Sequence, residues 1–186
     1  MPVAGQPVLC VVACGGLPAA DLPPFVTLLL TGGWHVCVIA TPSAVKFMDL
    51  DELARITGHQ VRYDYKKPDV LPFPDAYVIA PATFNTINKM ASGASDTLAL
   101  GMLNEAIGLG LSILAVPRPN VALARHPAFR ASVQALRSWG VELLFDPDRY
   151  PLPVPNMGSP AAALSPWPDL MSAVTELRKA MEAGAG

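Results

Sequence analysis

The chain has 186 residues, 52% of them hydrophobic and only 15% charged, with a formal net charge of −2. That balance excludes a disordered chain and suits one folded domain over 1–186. It also carries no basic stripe for nucleic acid, and no apolar run reaches the roughly 18 residues that span a bilayer.

A surface so poor in charge points to cover by other subunits of a homo-oligomer. The apolar start, Met1 to Ala13, has no Lys or Arg ahead of it and reads as a first strand, not a signal peptide. The three cysteines, Cys10, Cys14 and Cys37, are odd in number and contain no CxxC pair. A disulfide framework or zinc site is not expected from them, and a reducing cytoplasm fits.

Val8 to Ala13 is a continuous apolar run ending at Gly15-Gly16, the pattern of a parallel strand buried on both faces. Ala19 to Leu30 reads as a helix closed by Gly32-Gly33, and His35 to Ala40 as the second strand. Ser43 is placed to cap a helix with Phe47, Leu50, Leu53 and Ile56 at helical spacing, stopping near Gly58. Gln60 to Tyr65 is a more polar third strand at an edge, and Lys66 to Pro74, with three prolines, is a loop.

Ala76 to Ala80 is another buried strand, followed by a short helix over Thr86 to Gly93. Ser95 or Asp96 caps a longer helix running to about Gly108. Leu111 to Val116 is a strand, His126 to Trp139 a helix ended by Gly140, and Val141 to Phe145 the last strand. Tyr150 to Pro168 holds six prolines and reads as a loop or lid, before a C-terminal helix over Asp169 to Ala183.

Strands alternating with helices predict an α/β fold: a single-domain, Rossmann-like (flavodoxin-like), doubly wound parallel sheet in three α/β/α layers, with its core over about 7–146. Such sheets bind ligands at the carboxyl ends of their strands. Gly15 and Gly16 there permit close backbone approach to an anion, or simply a tight turn. Ser43 can serve its helix or a phosphate. Pro81-Ala82-Thr83-Phe84-Asn85-Thr86 is the densest group: two hydroxyls, a carboxamide and an aromatic directly after a buried strand. Its polar groups can bond a ring edge or a phosphate, and Phe84 can offer a flat apolar surface. Asn120, in Pro117-Arg118-Pro119-Asn120, is either held out at the same edge or part of a structural turn. There is no GxGxxG after the first strand, no P-loop lysine motif and no GxSxG elbow. His35, His59 and His126 are scattered along the chain and read as surface or packing residues, not a metal pair.

The stretch Ile79 to Leu98, containing Pro81-Ala82-Thr83-Phe84-Asn85-Thr86 and later Gly93, Asp96 and Leu98, resembles the flavin-containing cysteine decarboxylases, that is, the phosphopantothenoylcysteine and lantibiotic peptide decarboxylases. Their counterpart reads PA[ST]xNT, then a helix ending in Gly, then Asp and Leu. The resemblance runs from about Val8 to Asp146. It implies FMN bound at a subunit interface of a trimer or trimer-based dodecamer, and a peptide or small-molecule substrate carrying a carboxylate. Gly15, Gly16, Ser43, Phe47, Ala82, Thr83, Phe84 and Thr86 fall on the family's cofactor-binding positions, and Asn85 and Asn120 on its active-centre asparagines. A serine of the family's phosphate turn is Gly16 here. The position of the family's catalytic histidine, fourteen residues before Pro81, is Lys67. Lysine is ordinarily protonated at neutral pH and no free base. The resemblance thus implies an FMN-dependent decarboxylase-type enzyme in which Lys67, Asn85 and Asn120 handle the substrate. The alternatives are a non-catalytic flavin-binding partner subunit or a transferase similar to the flavin prenyltransferases.

Overall fold

The structure is a computed structural model and describes residues 6–16, 19, 21–65, 71–155 and 166–184. Five strands, β1 (Val8–Ala13), β2 (His35–Ala40), β3 (Ala76–Ala82), β4 (Ser112–Pro117) and β5 (Glu142–Leu143), form one parallel sheet in the order β2-β1-β3-β4-β5. This is the flavodoxin-like, doubly wound arrangement, whose direction of winding switches between β1 and β3. Strand side chains alternate between two cores. Leu9, Val11, Val36, Val38, Val78 and Leu114 pack on one face under α1 (Leu22–Thr31), α2 (Leu50–Thr57) and α7 (Trp167–Gly184). Cys10, Val12, Ile39, Tyr77, Ile79 and Ile113 face the other core, under α3 (Phe84–Ala91), α4 (Leu98–Leu109) and α6 (Pro127–Ser138). The predicted three layers are present.

Several boundaries differ from the sequence expectation, each for a local reason. Gln60 to Tyr65 is not a strand: only Arg62 bridges to Ile39, Tyr63 and Tyr65 lie largely exposed, and the Tyr65 hydroxyl turns instead to the Thr97 carbonyl at 3.4 Å. Ser43 makes no side-chain cap. It precedes a 3-10 turn, Ala44–Phe47, which Met48 ends in an extended conformation. Asp49 then starts α2 by accepting from the Glu52 N–H at 2.9 Å. Thr97, not Ser95 or Asp96, caps α4. That helix passes through Gly108 and ends only where Gly110 takes φ 69°, a left-handed conformation suited to glycine. The last strand shrinks to Glu142–Leu143, and α7 starts at Trp167, with Pro168 in its first turn, where no intrahelical N–H is needed. A short helix, α5 (Val121–Arg125), follows β4 in a stretch to which the sequence assigned no element. Of the proline-rich segment, Tyr150 to Pro155 is irregular and anchored by the buried Leu152, while 156–165 lies outside the described residues.

Leu103 sits fully buried in the core beneath α4. Leu103→Ala should lower the unfolding free energy by about 2–5 kcal/mol, seen as an earlier urea midpoint. An unchanged midpoint would mean that α4 is not packed as described.

Candidate functional site

The carboxyl ends of β1 and β3 meet at the switch point of the sheet. Cys14, fully buried, donates its backbone N–H to the Pro81 carbonyl at 3.2 Å. Its Sγ accepts the Thr86 hydroxyl at 3.1 Å. Thr83 and Thr86 hydroxyls lie 2.9 Å apart, and Thr83 Oγ1 also accepts from the Thr86 N–H at 3.3 Å, capping α3. A hydroxyl has one proton, and that of Thr86 goes to sulfur. Thr83 is therefore the donor in the threonine pair. Both hydroxyl protons are spent inside the protein, so this turn presents oxygen lone pairs and backbone amides outward. Burial pushes the Cys14 thiol up to about 11, against the lowering effects of the bonds from Thr86 and from the Thr83 backbone. It is a neutral thiol at physiological pH.

The end of β2 joins this cluster through Gly15. A Cβ there would fall 2.7 Å from Ser43 Oγ and 2.9 Å from Ser43 Cβ, so only glycine lets the two loops touch. Ser43 Oγ in turn lies 3.2 Å from Thr41 Oγ1. Thr41 is buried and Ser43 exposed, so with Thr41 as donor the Ser43 proton is free for a ligand. On the far side, the Arg118 N–H donates to the Ala82 carbonyl at 2.9 Å and brings the β4 end alongside. The Arg118 guanidinium is half-buried, which lowers its pKa, and lies 3.4 Å from the Tyr150 carbonyl.

Gly15, Ser43, Ala82, Thr83 and Thr86 thus form a connected band, with Gly16 next in the chain. Other expected residues are placed differently. Phe84 does not stand free as a flat surface: its ring stacks on Phe129 (centroids 5.9 Å, 17°) and meets His126 edge-on at 5.7 Å, because the helix that it begins packs on α6. Phe47 is exposed, on the 3-10 turn after Ser43. Asn85 is exposed in the first turn of α3. Asn120 Oδ1 accepts from the Leu123 N–H at 2.9 Å and caps α5, leaving its Nδ2 as donor. Lys67 lies outside the described residues.

Two features escaped the sequence reading. His126 sits against Phe84, with Nδ1 accepting from the Ala128 N–H at 3.1 Å. His35 and His59 are not scattered at all: their Nε2 atoms are 2.8 Å apart at the amino end of β2. Burial, and then the neighbouring His59, hold His35 below the usual histidine range. A separation of 24 residues carries no sequence signal for such a pair.

Gly15→Ala should destabilise the protein by about 1–3 kcal/mol through overpacking, and Ser43→Gly should restore part of the loss in the double variant. Additive effects in a denaturant double-mutant cycle would contradict the contact. The buried thiol predicts a second effect. Folded Cys14 keeps its proton to about 11, whereas an exposed thiol loses it near about 8.5. Between those values the unfolded state binds fewer protons. The stabilisation present below that window is therefore lost as pH rises through it. The urea midpoint should fall across this range, and less steeply in Cys14→Ala. Parallel profiles would show that Cys14 is not the titrating group.

Comparison with known proteins fits this geometry. The chain is 28% identical over 137 residues to the coenzyme A biosynthesis bifunctional protein CoaBC of Bacillus subtilis, covering 69% of this chain and 32% of that protein. It is 36% identical over 101 residues to a cysteine/cysteine sulfinic acid decarboxylase of an unknown prokaryotic organism, covering 50% and 27%. The chain spans about a third of the length of these curated relatives. Among solved structures, the FMN-dependent cysteine decarboxylase TvaF from thioviridamide biosynthesis superposes with a TM-score of 0.67 at 26% identity, over 75% of this chain and 90% of that one. A PPC decarboxylase complexed with pantothenoylaminoethenethiol reaches 0.71 over 94% and 99%, at an identity of 18% that speaks for the fold alone. The Flavoprotein family profile matches residues 4–179, nearly the whole chain, and the chain belongs to that Flavoprotein family.

Proposed function

We propose that this chain binds FMN across the carboxyl ends of β1 to β4 and acts as an FMN-dependent, decarboxylase-type enzyme on a small-molecule or peptide substrate with a carboxylate. The observation that carries this reading is the connected band at the β1/β3 switch point, from Ser43 through Gly15 and Cys14 to Thr86 and Thr83. The band suits the group. Gly15 and Gly16 let backbone approach a phosphate, and Ser43 has a proton to donate. Ala82, Thr83, Phe84 and Thr86 would border the ring system, with the exposed Phe47 beside them. The lone pairs of Thr83 and Thr86 suit a donor on a ring edge.

Bound flavin would supply the two-electron oxidation that makes loss of carbon dioxide feasible. The chain's own residues would position the substrate. Asn85, exposed in the first turn of α3, and the Asn120 Nδ2 group can each donate to a carboxylate. Lys67, protonated at neutral pH, would pair with it as a charge, not as a base. The likeness to TvaF, an FMN-dependent cysteine decarboxylase, supports the substrate class.

We also read the protein as a homo-oligomer built on trimers in a reducing cytoplasm. Support comes from the low charge content, the exposed Leu28, Phe47, Phe73 and Leu109, and the three free cysteines. Sedimentation equilibrium tests the assembly, and a monomer would contradict it.

FMN-loaded protein should release carbon dioxide from peptides ending in cysteine or from phosphopantothenoylcysteine. Asn85→Ala should reduce kcat/KM on the order of 100-fold while leaving flavin binding intact. No carbon dioxide from either substrate class would defeat the decarboxylase reading.

A further inference from the structure

His35 opens β2, and Cys37 follows two residues later on the same face of that strand. His59 arrives from the other direction, just past Gly58 at the end of α2. Its backbone N–H donates to Thr57 Oγ1 at 3.2 Å. Three residues on, the chain is fastened along the edge of β2: the Ala40 N–H donates to the Arg62 carbonyl at 2.8 Å, and the Arg62 N–H to the Val38 carbonyl at 3.2 Å. The result is a cluster in which one ligand atom from each of His35, Cys37 and His59 lies within 4.8 Å of the others. A hydrogen bond between the two imidazoles accounts for their 2.8 Å approach, but it gives no role to the thiol beside them.

We propose that His35, Cys37 and His59 form a binding site for one divalent transition-metal ion of zinc type, with water in the fourth position. Nitrogen and sulfur donors select a borderline or soft ion over magnesium or calcium. Tetrahedral zinc has bonds of about 2.0–2.1 Å to nitrogen and about 2.3 Å to sulfur, which sets ligand separations at roughly 3.3–3.7 Å. The imidazoles must part by about half an ångström and the sulfur draw in by about one. Cys37 is fully buried and His35 nearly so, so this closure calls for small side-chain rotations within the packed end of β2. His59 is only half-buried, which opens the fourth position to solvent.

The metal–sulfur bond forms as the Cys37 thiol loses its proton to solvent. The proton shared between the two Nε2 atoms moves to the Nδ1 of its own ring, freeing both Nε2 lone pairs. The ion would clip the 58–62 segment to β2. This lies at the amino end of the sheet, roughly 17 Å of strand away from the Thr41–Ser43 loop, and does not depend on the flavin reading.

The test uses the full chain, stripped with a chelator and titrated with Co²⁺. One Co²⁺ per chain should bind, giving visible bands of tetrahedral cobalt and a near-ultraviolet thiolate-to-cobalt band, both abolished by added Zn²⁺. Cys37→Ser should lose the near-ultraviolet band. His59→Gln, at a half-buried position, should weaken binding by at least about tenfold. The wild-type spectrum decides the matter even if a variant fails to fold. A wild-type chain with no thiolate-to-cobalt band, or an affinity unchanged from wild type in both variants, would overturn the site.

Discussion

The candidate site depends on β1 and β3 ending at the same level. Their register pairs Val12 with Ile79, and the next contact beyond the ladder is the Cys14 N–H on the Pro81 carbonyl. Two apolar strands, buried on both faces, hold that register because a slip by one residue would turn each core face into the other. Once it is set, Cys14 lies under Thr86, Gly15 lies against Ser43, and the Arg118 N–H finds the Ala82 carbonyl. The polar band is the edge of the hydrophobic sheet.

The same arrangement explains the chemistry that the band offers. Its threonine protons are committed internally, to sulfur and to oxygen, so the turn is held in one state before any ligand arrives. Such preorganisation favours binding because little remains to be ordered. Among the described residues, positive charge near the band is sparse. Arg118 is half-buried and Lys46 exposed, so recognition of an anion would fall mainly to backbone amides and to Ser43. This would suit the proposed cofactor, and on that proposal Asn85 and Asn120 would orient the carboxylate.

Much of the fold was legible because its signals are local. Val8–Ala13, His35–Ala40 and Ala76–Ala82 are apolar runs that only a doubly covered strand can bury, and Gly58 marks a helix end by its conformation. Gln60 to Tyr65 misled because alternation alone does not supply a partner face, and Gly108 because a glycine can sit inside a helix that a later glycine ends. The band of hydroxyls was legible as composition. Its internal bonding was not, since Cys14 and Thr86 are 72 residues apart. Phe84 could be read as a platform until the packing of α3 on α6 placed Phe129 against its ring. The His35–His59 pair depends on how the chain crosses the edge of β2, and nothing in either residue's neighbourhood announces it.

On the proposed reading, the strand-end band holds a flavin. The most direct measurement is the visible absorption spectrum of the purified chain, before and after incubation with FMN and removal of the excess. A protein that binds FMN there should be yellow, show a flavin band and release stoichiometric FMN on denaturation, with weaker retention in Thr86→Val. A chain that stays colourless after reconstitution would contradict that reading.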